Sequence, residues 1–64
     1  MREYKFMFKK LEFNGDKYDR VTAFTICGVE SELTSLETIS HFIMRHSDDF
    51  VSYEVVEREA DDDL

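Results

Sequence analysis

Cysteine is nearly absent from this 64-residue chain, glycine occurs only twice, and no apolar run is long enough to span a bilayer. Cys27 stands alone, which excludes an internal disulfide. No Cys/His cluster has the spacing of a zinc site, so no metal and no cofactor is expected. A membrane helix needs about 20 consecutive apolar residues, so no membrane association is expected. Arg2, Glu3 and Lys5 interrupt the start, which does not read as a secretion signal. Together with a reduced thiol, this points to a cytoplasmic location. Gly15 and Gly28 lie far apart, so there is no glycine-rich loop to cradle phosphate.

These absences bear on stability. A chain of this length is near the lower limit for a single hydrophobic core. Ordering it costs on the order of 100 kcal/mol, at roughly 1.5 kcal/mol per residue, and apolar burial only about matches that. With neither disulfide nor metal, a second subunit is the remaining route. A homodimer is expected.

Charge is plentiful and unevenly placed. Residues 1–20 hold six basic groups (Arg2, Lys5, Lys9, Lys10, Lys17, Arg20) against four acidic ones, net +2. Residues 21–64 hold Arg45 and Arg58 against eleven carboxylates, net −9, and the two parts sum to the chain's −7. A field of this sign repels phosphate backbones and attracts basic proteins. Direct nucleic-acid binding is therefore not expected, whereas a basic protein partner is. The plainer account, acidity for solubility, fits the same charges.

The pattern of residues predicts an α+β domain of order β-β-α-β over residues 1–59, followed by an acidic tail over 60–64. Residues 3–13 alternate as a strand, with Tyr4, Phe6 and Phe8 on one face. Asn14-Gly15 is a strong hairpin signal, suited to a type I′ turn. Residues 18–27 form the return strand, apolar on both faces, which suits a central strand or one backed by a partner chain. Leu11 and Phe13 break parity with Phe8, so either a bulge lies near Lys9-Lys10 or the hairpin tip exposes apolar groups. Thr34-Ser35-Leu36-Glu37 fits a capping box. Leu36, Ile39, Ile43 and Phe50 recur at helical spacing, with Leu33 and Phe42 flanking and Ser40, Arg45 and Asp48 facing away. The helix is expected to stop near Ser47-Asp48, and a third strand to run over 50–58, parallel in direction to the second. One sheet face is covered by the helix, and the other is free to meet a copy of itself.

Candidate chemistry is sparse. Glu37 and His41 are four apart on the helix, but a third ligand is missing and an i,i+4 ion pair explains the spacing. His46 suits a helix C-terminus. Cys27 reads as a small buried hydrophobe. Ser31, Thr34 and Ser35 are explained by capping. Tyr4, Phe6 and Phe8 beside lysines suggest a base-stacking platform, yet a small sheet needs that face for its core. No catalytic residue is assigned, and the chain is not expected to be an enzyme.

The candidate partner-binding set is Glu30, Glu32, Leu33, Leu36, Glu37 and Phe42, with the carboxylates replacing phosphates and one apolar residue acting as a plug. Gly28 followed by the helix start Thr34-Ser35-Leu36-Glu37-Thr38-Ile39, in this element order, resembles the small dimeric phage-encoded inhibitors of uracil-DNA glycosylase. In that family an aromatic side chain at the helix start enters the enzyme cavity that normally receives its DNA-intercalating leucine. Carried over by position, the resemblance assigns this role to Leu36, flanked by Glu37 and Glu32. It implies an inhibitor that mimics DNA and binds a host DNA-binding or DNA-repair enzyme. The alternative is a homo-oligomeric structural or regulatory module, with Leu11, Phe13 and Tyr18 at the hairpin tip as its contact.

Overall fold

The computed structural model describes residues 1–59 and has the expected β-β-α-β order. The acidic segment 60–64 lies outside the described residues. Strand β1 is Arg2–Asn14, β2 is Lys17–Val29, helix α1 is Leu33–His46 and β3 is Ser52–Glu59, with one 3₁₀ turn over Glu30–Glu32 before the helix. The sheet order is β2-β1-β3, and both outer strands are antiparallel to β1. β3 therefore runs parallel to β2, as expected. The α1 crossover carries it past β1 to the far side, so β2 is an edge strand and not a central one.

Alternation along β1 explains why it takes the centre. Phe6 and Phe8 are 1 % and 0 % exposed, and Tyr4 lies buried beside them on the face under α1. Register then selects the neighbours on that face. Phe6 sits between Ile26 and Val55, and Phe8 between Phe24 and Tyr53. Phe8 is the hub, with ring centroids 5.8 Å from Phe24, 5.5 Å from Phe50 and 5.6 Å from Tyr53. Offset and tilted ring pairs at such distances add to simple area burial.

The hairpin carries both of the alternatives left open by the parity break. A register shift falls between Phe8 and Lys9, where Phe24 pairs with Phe8 and Thr22 with Lys9, leaving Ala23 as the extra residue on β2. Because the extra residue is on β2, β1 keeps its own alternation. Leu11 and Phe13 therefore emerge on the uncovered face, and the tip exposes them. The turn also differs from expectation. Asn14 pairs with Lys17, so the two-residue loop is Gly15-Asp16. Gly15 alone has positive φ, at 74°, the pattern of a type II′ turn with glycine first.

β3 pairs with β1 only through Lys9, so the hairpin beyond it stands as a two-stranded arm. Five residues per strand at about 3.4 Å each give it roughly 17 Å of reach. The molecule is accordingly flat and long, 47 × 27 × 11 Å.

Helix α1 ends at His46 with Ser47 as its C-cap, as expected, but it starts earlier and is turned differently. Ser40 is fully buried while Ile39 and Phe42 are exposed. The inward stripe is Leu33, Leu36, Ser40, Ile43 and Met44. Among the described residues Ser40 is one of three fully buried side chains, with Phe6 and Phe8, and its small size suits a helix that lies close on the sheet. Its hydroxyl has no hydrogen-bond partner.

Two stability outcomes follow. Phe8→Ala removes the hub of four rings and should cost about 3–5 kcal/mol, which is comparable to the whole stability of so small a domain. Circular dichroism at 25 °C should show loss of folded signal. Ser40→Ala removes a buried hydroxyl without a partner and should gain about 1 kcal/mol. The thermal midpoint should rise by roughly 4–8 °C; a fall would mean that the hydroxyl is engaged.

Candidate functional site

Two surfaces remain once the core is accounted for: the ends and outer side of α1, and the uncovered face of the sheet. The helix start is built on Gly28. A Cβ there would come within 2.8 Å of both Leu36 Cδ1 and Glu32 Oε1, so glycine lets the turn fold tightly over the sheet. Glu32 reaches back to accept the Val29 N–H at 2.9 Å. This bond, and not a Thr34–Glu37 box, closes the helix entry. Thr34 is already inside the helix, where its carbonyl accepts from the Thr38 hydroxyl at 3.0 Å.

The six candidate residues divide by burial. Leu36 is 6 % exposed and belongs to the core; Leu33 is half-buried against that core. Phe42 is 62 % exposed, with its ring centroid 4.3 Å from that of His46. Glu30, Glu32 and Glu37 are all exposed. Of the three apolar candidates, Phe42 is the one whose side chain can enter a partner. Glu32 serves the fold as well as the surface.

Charge is sorted between the layers. Where the sheet has three strands the carboxylates are paired: Glu3 with Arg58 at 3.1 Å, Glu57 with Arg2, Glu54 with Lys9 at 3.5 Å, and Glu59 with the chain's ammonium terminus at 3.1 Å. On the helix layer, Glu30, Glu32, Glu37, Asp48 and Asp49 have no ion pair among the described residues. The first three are gathered at the helix start and the last two follow its end. Fourteen residues of helix separate the groups by about 21 Å. Exposed pairs of the sheet type contribute little stability, typically under about 1 kcal/mol each. Their consequence is electrostatic: with the arm's Glu12, Asp16 and Asp19 matched in number by Lys10, Lys17 and Arg20, the net negative field is left to the helix layer.

The uncovered face has the opposite character. By register it presents Glu3, Lys5, Lys9, Arg20, Glu54 and Arg58, four cationic against two anionic groups, around Met7, Leu11, Phe13, Tyr18, Cys27 and Val56. Cys27 is exposed there, a correction to its expected burial. A shallow concavity of about 330 Å³ is lined by Lys5, Cys27, Val29, Val56 and Arg58, among others. At the arm, Phe13 and Tyr18 are 59 % and 66 % exposed and lean on each other with centroids 5.0 Å apart.

His41 lies beside Tyr53, with centroids 6.4 Å apart. Among the described residues no three His, Cys, Asp or Glu side chains are grouped to hold a metal ion, and no helix is long and apolar enough to cross a membrane. The uncovered face could have been anticipated only from the odd-numbered positions of β1, Lys5, Met7, Lys9, Leu11 and Phe13, once the single helix had been assigned to the even ones. No protein-family model, curated protein or solved structure matches this chain.

Proposed function

We propose that this chain is a non-catalytic, acidic protein inhibitor that occupies the basic nucleic-acid-binding surface of an enzyme. The observation that carries this reading is the sorting of charge: where the sheet has three strands its carboxylates are paired within the molecule, while those flanking α1 are not. Unpaired carboxylates at both ends of an exposed helix present anionic groups where a basic surface expects phosphates. Phe42, exposed between them, takes the part of the apolar plug. The resemblance of the helix start to uracil-DNA glycosylase inhibitors makes that enzyme the first to test. Leu36, the residue matched by position, is buried, so the contact would pass through Phe42 instead.

A second reading, a module whose role is assembly, is favoured by the exposed Leu11, Phe13 and Tyr18 of the arm. Affinity capture from a bacterial lysate separates the two. Recovery of a basic nucleic-acid-processing enzyme supports inhibition; recovery of the chain alone supports assembly.

Electrostatic steering fixes the expected kinetics. Inhibition of uracil excision by a purified glycosylase should weaken about tenfold or more between 50 and 200 mM salt, by analogy with the salt dependence of phosphate contacts. The pair Glu30→Lys and Glu37→Lys should slow association by a similar factor at low salt, with the fold intact. No inhibition at stoichiometric excess removes the glycosylase, and salt-independent association with any captured enzyme removes the mimicry. Glu32→Ala is a control of a different kind. It loses the acceptor for Val29 N–H and should cost about 1 kcal/mol of stability, seen as a lower urea midpoint.

A further inference from the structure

The two open edges of the sheet are chemically unlike. Along β3, Glu54, Glu57, Arg58 and Glu59 place charge on four of eight residues. Charge is a usual means by which an edge strand is kept from pairing with another chain. Along β2, the nine residues Val21–Val29 carry no charge, and the whole chain has no proline. The run Val-Thr-Ala-Phe-Thr-Ile-Cys-Gly-Val is rich in β-branched and aromatic residues, the composition that most readily adds a further strand. Among the described residues β2 pairs only with β1, so its outer row of N–H and carbonyl groups is open.

Apolar surface lies beside that edge. Phe24 is 46 % exposed although its ring touches the Phe8 cluster, and Ile39 on α1 is 47 % exposed. At 100° per residue, Ile39 and His41 fall on opposite flanks of the inward-facing Ser40. His41 lies against Tyr53 of β3, so Ile39 overhangs the β2 side. The open edge, Phe24 and Ile39 thus lie on the same flank of the molecule, each partly uncovered.

We propose that this flank is covered by a second copy of the chain, the two β2 strands pairing antiparallel about a two-fold axis near Thr25-Ile26. The product is a six-stranded sheet with both helices on one side. Self-pairing fits for three reasons on this surface. An isologous contact demands a self-complementary patch, and an uncharged run meets its own reverse without repulsion. A two-fold axis normal to the sheet keeps faces matched, so Phe24 and Ile26 meet residues of the helix face in the other copy and extend the core. The flanking Ile39 side chains are then brought to the same seam. This pairing differs from docking of the uncovered faces, where four cations against two anions on each copy would oppose contact. It does not depend on the inhibitor reading.

Sedimentation equilibrium on the full chain, from about 10 to 100 µM, tests it. The wild-type mass should be that of two chains. Thr25→Lys, which sets a lysine in the middle of the edge, should give the mass of one chain with the circular dichroism spectrum of a folded protein. Ile39→Lys alters no strand residue and should weaken dimerisation at least tenfold, which decides the matter if Thr25→Lys fails to fold. Phe13→Lys, at the far tip, should leave the dimer unchanged. A single-chain mass for the wild type at every concentration overturns the proposal, as does a mass above two chains. A dimer that survives Ile39→Lys but is lost with Phe13→Lys would overturn it too, by placing the contact at the arm.

Discussion

One helix can cover one face of a sheet, and the packing of α1 over the Phe8 cluster determines which. Phe8 holds Phe24 from β2, Phe50 from the connection and Tyr53 from β3 at centroid distances of 5.5–5.8 Å. All three strands and the segment after the helix thus converge on one side chain. The Val51 N–H, donating to the Lys9 carbonyl at 2.8 Å, pins the end of that connection at the point where the bulge begins. With Tyr4, Phe6 and Phe8 of β1 committed inward, the residues of opposite parity, and those register sets beside them, have no layer above them. The open face, the exposed arm and the bare β2 edge are all consequences of that allocation.

The same allocation sorts charge. Arginine and lysine along β1 and β3 stand across from glutamates at strand spacing, where cross-strand pairs form readily. The helix ends have no such neighbours. Acidic residues before a helix are also favourable to its dipole, so Glu30 and Glu32 stabilise α1 while adding to the field outside it. Glu32 therefore serves the fold as well as the surface charge, since it ties Val29 to the helix entry.

Much of the architecture was legible in the residues. Alternation at Tyr4, Phe6 and Phe8, the turn glycine, the helix stop near Ser47 and the direction of β3 all follow from local pattern. What failed locally was overridden by packing. Thr34-Ser35-Leu36-Glu37 has the composition of a capping box, but the tight approach at Gly28 let Glu32 close the helix one turn earlier. Ser40 is polar and so reads as an outward position, yet it is fully buried; its small volume suits a helix lying close on a sheet, and the neighbouring Ile39 is turned outward by one residue's rotation. The Asn14-Gly15 dipeptide marked the hairpin correctly, yet the bulge at Ala23 and the pairing of Asn14 with Lys17 moved the loop to Gly15-Asp16. The site was less legible than the fold. Which carboxylates are paired depends on β3 lying beside β1, and no periodicity in the chain states strand order.

That strand order also sets where a second copy can add. Had β3 paired with β2, the uncharged run would lie inside the sheet, and both outer edges would carry charge. By crossing to the far side of β1, the chain leaves the uncharged run of β2 outermost and sets the charged residues of β3 along the opposite edge. A molecule with one guarded and one open edge can extend only once at the open one, which favours a closed pair over a fibre. Pairing of this kind would set both helix starts, with Glu30, Glu32 and Glu37 from each copy, on one surface of a continuous sheet. The doubled rows would be held at fixed separation by hydrogen-bonded backbone, a more rigid anionic template than either copy could present alone.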